Sequence, residues 1–139
     1  MKRIFLAIGF LVLFSCSIFA QTVEDSGRKT IGFISSSGEV ENSGRSIIGY
    51  IWKTGTVENS SRKTIGFIRS NGTVENADSK TIGFIRSNGT IENSDSKTIG
   101  YVRSDGTVEN SNSKTIGYAK GVKIEHAAAY FFFFFKPKK

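Results

Sequence analysis

The side chains that could do chemistry in this chain are few, and most recur at a fixed interval. Glu41, Glu58, Glu75, Glu92 and Glu109 are 17 residues apart, each followed by an asparagine: Asn42, Asn59, Asn76, Asn93 and Asn110. A ring of such groups could converge on calcium, which takes several carboxylate and carbonyl oxygens. Lys63, Lys80, Lys97 and Lys114 keep the same register, so carboxylate–lysine pairing between copies is the simpler expectation, and we expect no metal. Arg69, Arg86 and Arg103, with Trp52 and Lys53 in an earlier copy, form a basic rim with one aromatic residue, which could hold an acidic glycan. The alternative is a solvated rim set by repetition alone.

Catalytic arrangements are missing. A serine triad needs a histidine beside a serine and an acid; the one histidine is His126, next to Glu125. Structural zinc needs three or four clustered ligands, and none cluster. There is no phosphate-cradling Gly-x-x-x-x-Gly-Lys loop. The chain reads as a non-enzyme with no cofactor.

These residues are positioned by a repeat. Glycines at Gly32, Gly49, Gly66, Gly83, Gly100 and Gly117 mark six copies without slippage, which indicates a repeat architecture. Each copy has an A run, such as Thr64-Ile65-Gly66-Phe67-Ile68, and a B run, such as Thr73-Val74-Glu75-Asn76. Asn71-Gly72 and its equivalents lie between them. Asn-Gly between β-prone runs predicts a two-residue hairpin loop with positive φ at both central residues. That loop sets Val74 opposite Arg69, on the Phe67 side. Alternation puts Ile65 and Phe67 on one face and Gly66 and Ile68 on the other. Glycine and β-branched residues in every copy argue against helix. The Ile31, Phe33 and Val40 positional sets read as packing positions.

A single hairpin is marginal in water, and an open stack of near-identical hairpins would leave adhesive edges. Closure removes the edges. There are five complete hairpins, a spare B run at Thr22–Asp25 and a spare A run at Thr115–Tyr118. The two spares are complementary and could join the ends, giving five petals plus a seam, or six petals.

The ends differ from the repeats. Lys2 and Arg3, the apolar Ile4–Phe14 run and the small-residue exit to Ala20 predict a cleaved signal peptide over residues 1–20 and hence an exported protein, periplasmic, outer-membrane-associated or extracellular. Lipidation at Cys16, the only cysteine, is the alternative. The net charge of +7 is concentrated at the ends: residues 22–118 hold 12 basic and 11 acidic side chains. A nucleic-acid footprint should lie on the folded body, so no nucleic-acid partner is expected.

The run Ala127–Phe135, followed by Lys136-Pro137-Lys138-Lys139, predicts a C-terminal aromatic strand over 122–139, packed in or against a repeat domain spanning 21–121. Phe131, Phe132, Phe133, Phe134 and Phe135 would fill the axis, and burying five rings could dominate so small a core. Alternatively they contact a membrane peripherally or add a strand to a partner.

The tandem Thr-Ile-Gly-Tyr/Phe-Ile-Arg-Ser-Asn/Asp-Gly-Thr-Val-Glu repeats, the Gly117–Val122 exit and the Ala-Ala-Ala-Tyr-Phe-Phe-Phe-Phe-Phe end resemble the small secreted bacterial proteins called five-fold β-flower proteins, over essentially the whole chain. The resemblance implies an all-β fold of hairpin petals around an axis and no established activity. The leading functional reading is a structural or interaction protein of the envelope or exterior. The alternatives are a module binding carbohydrate or another envelope polymer, and a membrane-interacting protein acting through its tail.

Overall fold

The computed structural model describes residues 20–137; the signal-peptide and Cys16 expectations lie outside them. Twelve antiparallel strands close into a barrel in which each strand pairs with its sequence neighbours. They are β1 (Gln21–Asp25), β2 (Thr30–Ile34), β3 (Glu39–Asn42), β4 (Ile47–Ile51), β5 (Thr56–Asn59) and β6 (Thr64–Ile68). The second half comprises β7 (Thr73–Asn76), β8 (Thr81–Ile85), β9 (Thr90–Asn93), β10 (Thr98–Val102), β11 (Thr107–Asn110) and β12 (Thr115–Tyr118). The two spare runs do meet. Glu24 pairs with Tyr118 and Asp25 with Gly117, the register that Glu41 and Asn42 keep with Phe33 and Gly32 inside a covalent hairpin. The ring therefore has six two-stranded units, five of them hairpins and the sixth the seam, which answers the question that the count of runs left open between five petals and six.

The turns differ from the two-residue prediction. Ile68 pairs with Val74, the Gly72 N–H donates to the Arg69 carbonyl at 2.9 Å, and the Arg69 N–H donates to the Thr73 carbonyl at 2.8 Å. The loop is Ser70–Gly72, and only Gly72 takes positive φ, at 89°. This is the three-residue hairpin loop with glycine in the left-handed position. One added loop residue moves Val74 from the Phe67 side to the Gly66 and Ile68 side. The links between units repeat the geometry with other residues at positive φ: Arg28, Arg45, Arg62, Ser79, Ser96 and Ser113. Each is braced by the B-run asparagine or Asp25. The Asn93 Oδ1 accepts from the N–H groups of Asp95 and Lys97, both at 3.0 Å.

Between units the register skips one residue of the A strand, as between the pairs Val74–Gly83 and Glu75–Thr81. Ile82 is the extra residue of a β-bulge, and the same bulge occurs at all six inter-unit pairings. A bulge breaks strict alternation, and so Ile31, Ile48, Ile65, Ile82, Ile99 and Ile116 pack against the core instead of lying wholly on the outer face. Val23, Val40, Val57, Val74, Ile91 and Val108 are fully buried at 0% exposure. Each such side chain contributes roughly 1.5–3 kcal/mol.

The tail is not a strand. It forms α1 (Ile124–Ala128) and then a π-helical turn, Ala129–Phe133. Every strand of the ring is already paired on both sides, so a strand inside it would have unsatisfied backbone groups, whereas a helix bonds its own. Strand side chains would also point only two ways. Ala127, Ala128, Ala129, Tyr130, Phe131 and Phe132 are buried, and Phe133, Phe134 and Phe135 pack against the core partly buried.

The aromatic rings lie on the motif glycines. A Cβ at Gly83, Gly100 or Gly117 would come to 2.5 Å from the Cε1 of Phe133, Phe132 or Phe131 respectively. The same ideal atom would strike the carbonyl of the paired strand, Glu109 at 2.5 Å in the case of Gly100. Only glycine allows both approaches.

Gly100→Ala is expected to cost about 1–3 kcal/mol through overpacking, and Phe132→Ala about 3–5 kcal/mol through loss of a buried ring. Asn93→Ala, which removes the one acceptor of two N–H groups at a link, should cost about 1–2 kcal/mol. Urea denaturation followed by circular dichroism measures all three. A neutral Gly100→Ala would show that the ring and strand do not touch there.

Candidate functional site

On the outer face, each unit carries an aromatic residue on its A strand and a glutamate or its equivalent directly opposite on its B strand, as Phe67 faces Glu75. One arginine covers both. Arg69 Nη2 lies 2.7 Å from Glu75 Oε1, Arg86 Nε 2.6 Å from Glu92 Oε2, and Arg103 Nη2 2.8 Å from Glu109 Oε1. Their guanidinium carbons sit 4.5, 4.7 and 4.4 Å over the rings of Phe67, Phe84 and Tyr101. The other three units draw the arginine from the link. Arg28 covers Tyr118 at 3.5 Å and pairs with Glu24, and Arg45 covers Phe33 at 3.6 Å and pairs with Glu41. Arg62 covers Tyr50 at 4.0 Å and approaches Glu58.

The glutamates therefore go to arginine, not to the lysines that the register suggested. Among the described residues every ion pair is an arginine–glutamate pair. The reason is geometric: the fork of arginine can bind a carboxylate and stack on a ring together, and the lysines sit beyond the bend of the link. The asparagines cap those links instead of forming a metal cage, and no cluster of three metal-ligating side chains occurs among the described residues.

Sequence reasoning missed a compensation that is visible in the letters. Where arginine follows the A run (Arg69, Arg86, Arg103), the link carries Ser79, Ser96 or Ser113. Where Ser35, Trp52 or Lys120 follows it, the link carries Arg45, Arg62 or, across the seam, Arg28. Each unit has one arginine, supplied from either of two places.

Trp52 occupies the place arginine takes in three other units. Its ring stacks on Tyr50 at 5.2 Å and 5°, with Arg62 5.0 Å away. Because Arg62 is shared between two rings, it stands 3.7 Å from Glu58 Oε1, a looser approach than in the other five units. Trp52 remains partly exposed and Lys53 is exposed.

Trp52, Lys53, Arg69 and Arg86 also border a hollow of about 410 Å³ at the end of the barrel where α1 enters. Ile51, Ile68, Ile85 and Ile124 supply its apolar part, and Asn71, Lys123, Glu125 and His126 its polar part. Burial, and secondarily Lys123, hold the His126 imidazole below its ordinary range, with Glu125 opposing. Arg103 is absent from this lining. Phe131–Phe135 lie within the barrel, away from the rim residues, and the structure does not gather the two predicted sets into one site. No helix among the described residues is long and apolar enough to cross a membrane.

The arginine hydrogen bonds lower the pKa of Glu75, Glu92 and Glu109. A carboxyl group whose folded pKa is depressed stabilises fully above its unfolded value, and that contribution is lost as pH falls through the folded one. His126, held neutral, acts in the same direction below its ordinary range. The urea midpoint should therefore fall as pH drops from 7 toward 3, and Glu92→Gln should flatten the lower part of that slope. Arg86→Ser should lower the midpoint at pH 7, and adding Ser96→Arg should restore it by supplying the arginine from the link; no recovery would separate the two positions.

The sequence profile described as 5-fold beta-flower protein matches residues 20–135. No curated protein and no solved structure matches the chain. A repeated Thr-Ile-Gly-aromatic strand, a closed ring of hairpins and a match over most of the chain agree: this chain belongs to the 5-fold beta-flower protein family.

Proposed function

We propose that this is an exported, non-enzymatic protein with a structural or interaction role in the cell envelope or outside it, and that it meets its partner at the mouth where α1 enters. The observation that carries this reading is the hollow of about 410 Å³. Around it gather residues that break the repeat: Trp52, Lys53, Lys123, Glu125 and His126. On the remaining surface the arginine belt is self-satisfied. Its arginines are held by glutamates and aromatic rings, and the strands have no open edge to extend. Binding sites are characteristically concave, with an apolar lining and a few convergent polar groups.

A second reading, carbohydrate or envelope-polymer binding, is favoured by Trp52. It is partly exposed at the rim beside Lys53 and Asn71, and an aromatic face next to hydrogen-bonding groups suits a sugar ring. The radial placement of hairpins around a filled axis supports a scaffold role in either case. The membrane reading draws less support, because Phe131 and Phe132 are 7% and 8% exposed and would have to leave the barrel to reach a bilayer.

Retention on immobilised envelope polysaccharides tests these readings together. Binding that weakens about tenfold, or 1.4 kcal/mol, in Lys53→Ala/Lys123→Ala with an unchanged melting curve supports the mouth. Equal weakening in Trp52→Ala supports the sugar-binding version. Liposome flotation of the intact protein, abolished by deleting 127–139, would favour the membrane instead.

A further inference from the structure

We infer that the C-terminal aromatic run is a template that sets the number of units in the ring, one aromatic residue per unit. Six consecutive residues meet six glycines in ring order. Tyr130 lies on Gly32, Phe131 on Gly117, Phe132 on Gly100, Phe133 on Gly83, Phe134 on Gly66 and Phe135 on Gly49. The glycines belong to β2, β12, β10, β8, β6 and β4, which are successive A strands around the closed barrel. Each step along the tail moves one unit around the ring, and the six residues visit every unit once.

The winding of the tail is fitted to this task. Six sites in one circuit need about 60° per residue, whereas an α-helix advances about 100°. The helix loosens accordingly. The Ala127 N–H donates to the Lys123 carbonyl at 3.0 Å, four residues back. The Phe134 N–H reaches five residues back, to Ala129 at 2.8 Å, and the Phe135 N–H six residues back to the same carbonyl at 3.3 Å. Wider turns of this kind are rare and occur mainly where a special geometry is required. The starting point is also marked: Tyr130, the one hydroxylated ring of the six, donates to the Ile31 carbonyl at 3.2 Å, which fixes the first aromatic on the unit of β2 and β3.

The repeats alone do not fix a count. Near-identical 17-residue units with the same bulge at every junction could close with one unit more or fewer. The tail supplies a number that the repeats lack.

The test is a square of variants of the chain lacking its first 20 residues. One deletes residues 81–97, a full repeat that rejoins Lys80 to Thr98. Another deletes one phenylalanine from 131–135. The third carries both changes. Each mismatched variant should melt about 10 °C or more below the parent, and the matched double variant should melt above both as a monomer. A second square, with 81–97 duplicated and one phenylalanine inserted, covers failure of the smaller ring to fold. The template is overturned if, in both squares, the matched variant is no more stable than the mismatched ones, or if changing the repeat number alone leaves the melting temperature unmoved.

Discussion

The contact on which the structure depends is that of an aromatic ring lying on a strand glycine, made six times inside one ring of strands. A glycine in a strand interior ordinarily weakens it, because it adds backbone entropy and no side chain to pack. Here the missing side chain is replaced from the axis. Each ring fills the space over its glycine, and the helix that carries the rings bonds its own backbone. The barrel thus gains an apolar centre although its described residues include no cysteine and no cluster of three metal-ligating side chains, and each 17-residue unit acquires the apolar contact it cannot make alone.

Two other features follow from closure around that plug. The bulge at every inter-unit junction turns the isoleucine ring toward the core and adds the local twist that a small closed barrel needs. The outer face is finished by a belt of arginines, each neutralising a glutamate and covering an aromatic ring. Such pairs at a surface are individually weak. Their importance is local: they cover the apolar rings that alternation places on the outside, and they spend charges that would otherwise be available to a ligand. The mouth, where the helix enters and the repeat is broken, lies outside this belt and is the place proposed above for recognition.

The separation of the repeated ring from the non-repeated mouth limits which positions can vary. Repeated positions answer to the ring and can vary only within its needs, as the exchange of arginine between two places shows. Residues outside the repeat, such as Lys123 and His126, are free of that constraint, and so is the exceptional Trp52. The mouth is consequently the part of the surface that can change in sequence without disturbing the closure.

Much of this was legible in the letters. The period of 17, the β-class of each run, the pairing of the spare B run with the spare A run and the burial of the aromatic tail all follow from spacing, propensity and the instability of a lone hairpin. The arginine exchange was legible too, had the two positions been compared copy by copy. Three things were decided only in three dimensions. The loop took three residues, because the glycine alone supplies positive φ, and this moved the valines to the inner face. The bulge broke alternation, which no single strand reveals because it arises from the register with a neighbour. The tail became a helix, although its local sequence suits a strand, because a closed ring has no free edge to pair with it and six glycines require rings pointing in six directions.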